Sequence, residues 1–221
     1  MHIPALLQFL AELHDNNNRP WFLHNKPHYD ILREEFIALL AEVGNEVRKF
    51  DPALGPFEAK KSVFRIYRDV RFSKDKLPFK DNIGGVVGTR NMADKKRPVH
   101  YFHIDYRGTL LVASGIYAPP PPELKMLRDH VIADPATFKM VLANPAFKKT
   151  FGGLGIEDRL TRVPKGYDKD HPLAEYLKNR HFFCETTLDL HKRNPKQLAK
   201  WIATQFAAAM PLVKWLRNAS A

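Results

Sequence analysis

Six basic side chains fall within the seventeen residues 64–80: Arg65, Arg68, Arg71, Lys74, Lys76 and Lys80. The fixed donor fork of arginine matches paired oxygens of a phosphate or carboxylate, whereas lysine adds a mobile point charge. Such a set can hold a multivalent anion. Phe64, Tyr67, Phe72 and Phe79 are interleaved with it. Recurrence at every third residue would gather Arg65, Arg68, Arg71 and Lys74 on one face of a helical turn. The residue types of SVFRIY favour a strand instead, where Arg65 and Arg68 point to opposite faces. The expected form is therefore a strand running into a structured turn, with part of the charge converging and Asp69 and Asp75 orienting it. The competing reading is an arginine ladder tied to local carboxylates, with solvated lysines around it.

A second constellation lies in VHYFHID. In a regular strand Tyr101, His103 and Asp105 share one face and His100, Phe102 and Ile104 the other, so His100 and His103 are not neighbouring ligands. A His103–Asp105 pair can fix a tautomer for proton transfer, and it can equally be the polar face of a hairpin. FFCETTLDLH places Glu185 and Asp189 on one strand face, as candidates to pair with the arginines or to act as acid and base. The candidate catalytic set is thus His103, Glu185 and Asp189; the candidate ligand-binding set is Arg65, Arg68, Arg71, Lys74, Lys76 and Lys80. No HExxH, paired HxH or cysteine cluster points to a metal. GGLG at 152–155 lacks the spacing of a dinucleotide fingerprint, and GxxxxGK[ST] is absent. No cofactor is indicated.

Charge is unevenly placed. Residues 1–59 hold 5 basic and 9 acidic side chains, residues 60–110 hold 13 and 5, and residues 111–221 hold 17 and 10, giving the net +11. A positive field raises the local concentration of anionic partners without naming them. No recognition-helix or zinc-finger signature accompanies it, so sequence-specific nucleic-acid binding is not expected. Cys184 is the only cysteine, which excludes an internal disulfide. No apolar run of membrane-spanning length appears, and the N-terminus lacks the form of a signal peptide. A cytoplasmic protein without a membrane partner is expected.

The elements that must position these residues follow from periodicity. IPALLQFLAELHD reads as a helix, DNNNRP breaks it, and Pro27 suits the first turn of a second helix whose apolar stripe runs from Tyr29 to Val43. SVFRIY, NIGGVVG, VHYFHI, TLLVASGIY and FFCETTLDL read as strands. VHYFHI and TLLVASGIY form a hairpin through DYRG, with Gly108 supplying the turn. Helices follow PPPP and start at PATFKM and HPLAEYL, and NPKQLAKWIATQFAAAMPLVKWLRNA reads as the terminal helix. This is α+β: a mainly antiparallel sheet covered by N-terminal and C-terminal helices, in one domain spanning 1–221.

NNNRPWFLHNKPHYD, FRIYRDVRFSKDKLPFKDNIG, YFHIDYRGTLLVASGIYAPPPPELKMLRDHV and LTRVPKGYDKDHP together resemble domain-of-unknown-function family 2461, over nearly the whole chain. The resemblance implies a single cytoplasmic α+β domain and no particular reaction. In similar proteins the arginine-rich stretch runs into a Pro-aromatic-Lys turn, here Pro78, Phe79 and Lys80, that commonly continues with Thr. This chain has Asp81, which weakens any anion-binding part for a hydroxyl there. The leading expectation is a site for a small phosphorylated or other anionic ligand. An enzyme acting on a phosphoryl or carboxylate substrate, a structural or protein-interaction domain with an unidentified protein partner, and a weak non-specific nucleic-acid binder remain as alternatives.

Overall fold

Proline and asparagine set the first two helices. In α1 (Ile3–Asp15), Pro4 occupies the first turn, where its missing N–H has no helical partner to lose, and His2 Nδ1 accepts from Ala5 N. Asn18 then caps α2 (Arg19–Arg48) by accepting from Trp21 N at 3.0 Å. Pro20 takes the first-turn role expected of Pro27, which lies inside the helix instead. The ring at Pro27 denies the Leu23 carbonyl its helical donor. Both residues are exposed, so water can substitute and the helix continues.

The computed structural model describes residues 1–69, 71, 76–88, 97–193 and 195–219. The expected strand SVFRIY is not continuous. A short helix, α3 (Ala59–Ser62), precedes two isolated antiparallel bridges, Val63 with Gly85 and Tyr67 with Phe79. The pairing register shifts between those bridges, which breaks the ladder. Four regular strands follow: β1 (Asn82–Val87), β2 (Val99–Asp105), β3 (Thr109–Ile116) and β4 (Phe182–Asp189), in sheet order β1-β2-β3-β4. The sheet is antiparallel and flanked by helices from both ends of the chain, as the α+β reading expects. Between β2 and β3 the tight turn depends on Gly108 at φ 77°, with Gly108 N donating to Asp105 O at 3.0 Å.

After β3 come α4 (Pro121–Ala133), α5 (Pro135–Ala143), α6 (Pro145–Phe151) and α7 (Ala174–Leu177), and α8 (Leu198–Ala219) follows β4. PATFKMVLANPAF makes two helices rather than one. Asn144 ends α5 and caps α6 by accepting from Phe147 N, and Pro145 enters the new first turn.

Two compact units divide the chain: residues 1–90, 101–112 and 187–204 form the first, and 91–100, 113–186 and 205–221 the second. The first buries Phe22, Leu32, Phe36, Leu40 and Val43 of α2 with Phe79, Ile83, Phe102 and Ile104. Phe36 and Phe102 meet with ring centres 5.2 Å apart. In the second, Leu127, Val131, Phe138, Phe147, Phe182, Leu212 and Trp215 make one cluster that also encloses Cys184. Burial pushes the Cys184 thiol far above its ordinary range, so it serves as a packing group.

Phe36 is fully buried and Leu23 is 65% exposed on the same helix. Phe36→Ala is expected to cost about 3–5 kcal/mol in urea unfolding. Leu23→Ala should stay within about 0.5 kcal/mol of the parent; equal losses would contradict this assignment of the buried face.

Candidate functional site

In the first unit the arginine-rich stretch is one half of an antiparallel arm. Phe64 N donates to Gly84 O at 2.8 Å, Lys80 N to Ile66 O at 2.8 Å and Arg68 N to Pro78 O at 2.9 Å. Ile66 is buried, while Arg65, Tyr67 and Arg68 are in solvent. Arg71, also exposed, grips Asp69 in a fork, with Nε 3.0 Å from Oδ1 and Nη2 2.7 Å from Oδ2. Arg65 Nη2 lies 4.0 Å from the same carboxylate. Those hydrogen bonds from Arg71 hold the Asp69 carboxyl down at about 2. Lys76 is exposed, and Lys80 holds its Nζ 5.3 Å from the centre of the Phe64 ring. Lys74, like Asp75, lies outside the described residues.

The returning strand of the arm is fixed by the corner between α1 and α2. Asn17 Nδ2 donates to Phe79 O, and Phe79 N donates to Asn17 Oδ1, both at 3.0 Å. The Phe79 ring stacks on Phe22 at 4.2 Å and packs against Tyr67 at 5.1 Å. Two residues on, Asp81 Oδ2 accepts from His14 Nδ1 at 3.1 Å, and the His14 ring stacks on Tyr106 at 3.7 Å. Asp81 is therefore part of a His14–Tyr106 contact rather than an anion-binding hydroxyl position.

On β2 the expected alternation holds, with His100, Phe102 and Ile104 buried and Tyr101 and His103 half-buried on the other face. The partner of His103 differs from the expected one. Its Nδ1 lies 3.0 Å from the Tyr101 hydroxyl, while Asp105 is occupied by its own turn. The Asp105 carboxylate accepts from Arg107 N, Arg107 Nε and Nη2, and Thr109 N. Burial acts to raise that carboxyl, but these hydrogen bonds outweigh it and hold it below the usual range. Burial lowers the basicity of His103, partly offset by the Asp105 and Asp81 charges. Burial also pushes the Tyr101 hydroxyl up to about 12. Gly84 on β1 makes this packing possible. A Cβ there would lie 2.6 Å from His103 Cβ and 3.0 Å from the Tyr101 hydroxyl.

Phe64 connects the two constellations. Its ring meets Tyr101 edge-on at 5.7 Å and lies under Lys80 Nζ. A continuous series of contacts, Lys80–Phe64–Tyr101–His103, thus runs from the basic arm to the histidine. The remaining candidates sit elsewhere. Asp189 ends β4 in the first unit, where it accepts from His191 N and Lys192 N. Glu185 belongs to the second unit, on the exposed side of β4, and partial burial with the neighbouring Glu157 charge raises its carboxyl. No group of three or more metal-ligating side chains occurs among the described residues. Asn17, His14 and the bonding role of Tyr101 escaped the sequence. The triple asparagine before Arg19 was the one visible signal.

A family model described as conserved hypothetical protein, domain of unknown function 2461, matches residues 5–215, and the chain belongs to that family. No curated protein and no solved structure matches it. Among the described residues no helix is long and apolar enough to cross a membrane.

The lowered basicity of His103 has a signed consequence. Because its folded value lies below the ordinary 6.5, an unfolded chain takes up this proton first as the pH falls. The contribution to stability is complete above about 6.5, declines as the pH drops toward the folded value and levels off beneath it. His103→Gln should flatten that part of the stability profile below about pH 6.5. A His103 ring resonance titrating at or above the ordinary histidine value would contradict the burial assignment.

Proposed function

We propose that the arm bearing Arg65, Arg68, Arg71, Lys76 and Lys80, with the adjoining Tyr101–His103 face of β2, binds a small phosphorylated or similarly anionic ligand. The contact series from Lys80 through Phe64 and Tyr101 to His103 is the observation that supports this most directly. It joins mobile positive charge, an aromatic surface and a hydrogen-bonding imidazole over a short distance. The Asp69 fork on Arg71 is solvent-exposed, and an ion pair of that kind contributes little. A phosphate, with more charge and more acceptor oxygens than one carboxylate, competes well for the same guanidinium. Family membership assigns no reaction, so binding is the extent of this reading. Proton transfer by His103 on the bound ligand is a second reading, favoured by the Tyr101 hydroxyl 3.0 Å from its Nδ1.

Pyrophosphate is a suitable probe, followed by calorimetry and by the His103 and arm amide resonances. Arg68→Lys keeps the charge but loses the fork, and should weaken binding by about 1.5 kcal/mol, roughly tenfold. Lys76→Ala, at an exposed position, should cost much less, and Lys80→Ala should remove the response of the His103 ring. Both Arg68→Lys and Lys80→Ala must first show the parent melting temperature. Saturable binding that ignores all three substitutions would place the anion elsewhere and end this reading.

A further inference from the structure

The second unit buries a guanidinium without a carboxylate. Arg128 shares the inward face of α4 with Leu124, Leu127 and Val131, at the spacing that turns one side of a helix to the core. It is 9% exposed, and its Nη2 donates to Asn179 O at 2.9 Å. An arginine can present Nε and Nη2 side by side, as a pair of donors matched to two oxygens. That fork is incomplete here: Nη2 is engaged, and no protein acceptor meets Nε. A buried charge left in this state is costly. Burial weakens the hold of Arg128 on its proton, Tyr167 offsets this in part, and the Arg180 charge adds to it.

Asn179, just beyond α7, is 1% exposed and joins this arginine to a second one. Its backbone carbonyl takes Arg128, and its side-chain Oδ1 accepts from Arg159 Nε at 2.6 Å. The other end of the same carboxamide, Nδ2, has no protein acceptor. The carboxylates close by in sequence are engaged elsewhere. Asp129 holds Lys125 at 2.6 Å and Tyr167 at 2.7 Å, Asp158 faces Arg180 at 3.6 Å, and Glu175 holds Lys178 at 2.5 Å. Among the described residues no carboxylate forms an ion pair with Arg128 or Arg159. Arg159 is half-buried and borders an open hollow of about 480 Å³. Glu185 borders it too; burial and the Glu157 charge raise its carboxyl, which eases its protonation when an anion approaches.

We propose that Arg128, Asn179 and Arg159 form an anion site within the second unit that takes a compact, phosphate-like oxyanion. The reading is independent of the arm in the first unit. The unmet groups on Arg128 and Asn179 carry it: both are donors, both belong to side chains at least nine-tenths buried, and both side chains are bonded to one another's residue. A cation finds no acceptor in this set, because the two oxygens of Asn179 are already taken by the arginines. Phosphate brings the missing charge and several acceptor oxygens at once, whereas an internal water brings oxygen without charge. Since both unmet atoms are covered, entry goes through Arg159, the member that borders the hollow.

Inorganic phosphate is the probe, titrated into the full chain against chloride at constant ionic strength and followed by NMR of the Arg128 Nε–H and Asn179 Nδ2 groups. Both resonances should shift together and saturate with phosphate, and neither should respond to chloride. Arg159→Gln should weaken the response about tenfold. Arg68→Lys, in the first unit, should leave it unchanged, so that failure here and failure of the arm site are told apart. Arg128→Met removes the buried charge, after which Asn179 Nδ2 should no longer respond. Where that variant does not fold, the two resonances of the parent chain decide. Resonances unmoved up to about 20 mM phosphate would assign these donors to internal water and overturn the proposal. An equal response to chloride, or one undiminished in folded Arg159→Gln, would overturn it as well.

Discussion

One side-chain amide governs the geometry of the first unit. Asn17 offers Phe79 a donor and an acceptor at once, as a neighbouring strand would, and so pairs both backbone polar groups of a residue that is 1% exposed. Buried backbone groups without such partners are costly, which makes the clamp a condition for burying the Phe79 ring at all. With Phe79 fixed against Phe22 and Tyr67, its two successors have little freedom. Lys80 is set over Phe64, and Asp81 is set against His14. The basic arm and the β2 face are brought together by a helix corner carrying no formal charge.

Much of the fold could be read from the chain before any coordinates. Helical stripes, the β2–β3 hairpin and the turn role of Gly108 are local, and local physics determines them. What escaped was set by partners distant in sequence. Pro27 reads as a helix start because nothing local shows that Leu23 and Pro27 face solvent. SVFRIY has strand composition, but its pairing partner at 79–85 is offset, and the register shift leaves bridges instead of a ladder.

The candidate site shows the same division. Period-two alternation correctly put Tyr101 and His103 on one face. It could not show that the Asp105 carboxylate would be taken up by Arg107 and Thr109, a choice made by the geometry of the turn. Charge counting found the basic stretch but not its organisation, because exposed guanidinium groups are placed by whichever carboxylate is near, here Asp69. The strand period marks Glu185, whereas its neighbour Glu157 is brought near only by the loop that packs on Phe183, too distant in sequence to be read locally.

Gly84 offers a way to sort relatives of this chain. Any side chain at that position meets the Cβ of His103 and the backbone oxygen of Phe102 at distances no rotamer change relieves, since the obstacle begins at Cβ itself. A relative with alanine or larger there must have parted the two strands or given up the tyrosine–histidine pair. The identity of one small residue on β1 thus serves as a genetic marker for the chemistry of β2. A glycine there is compatible with the tyrosine–histidine face, and a larger residue is not.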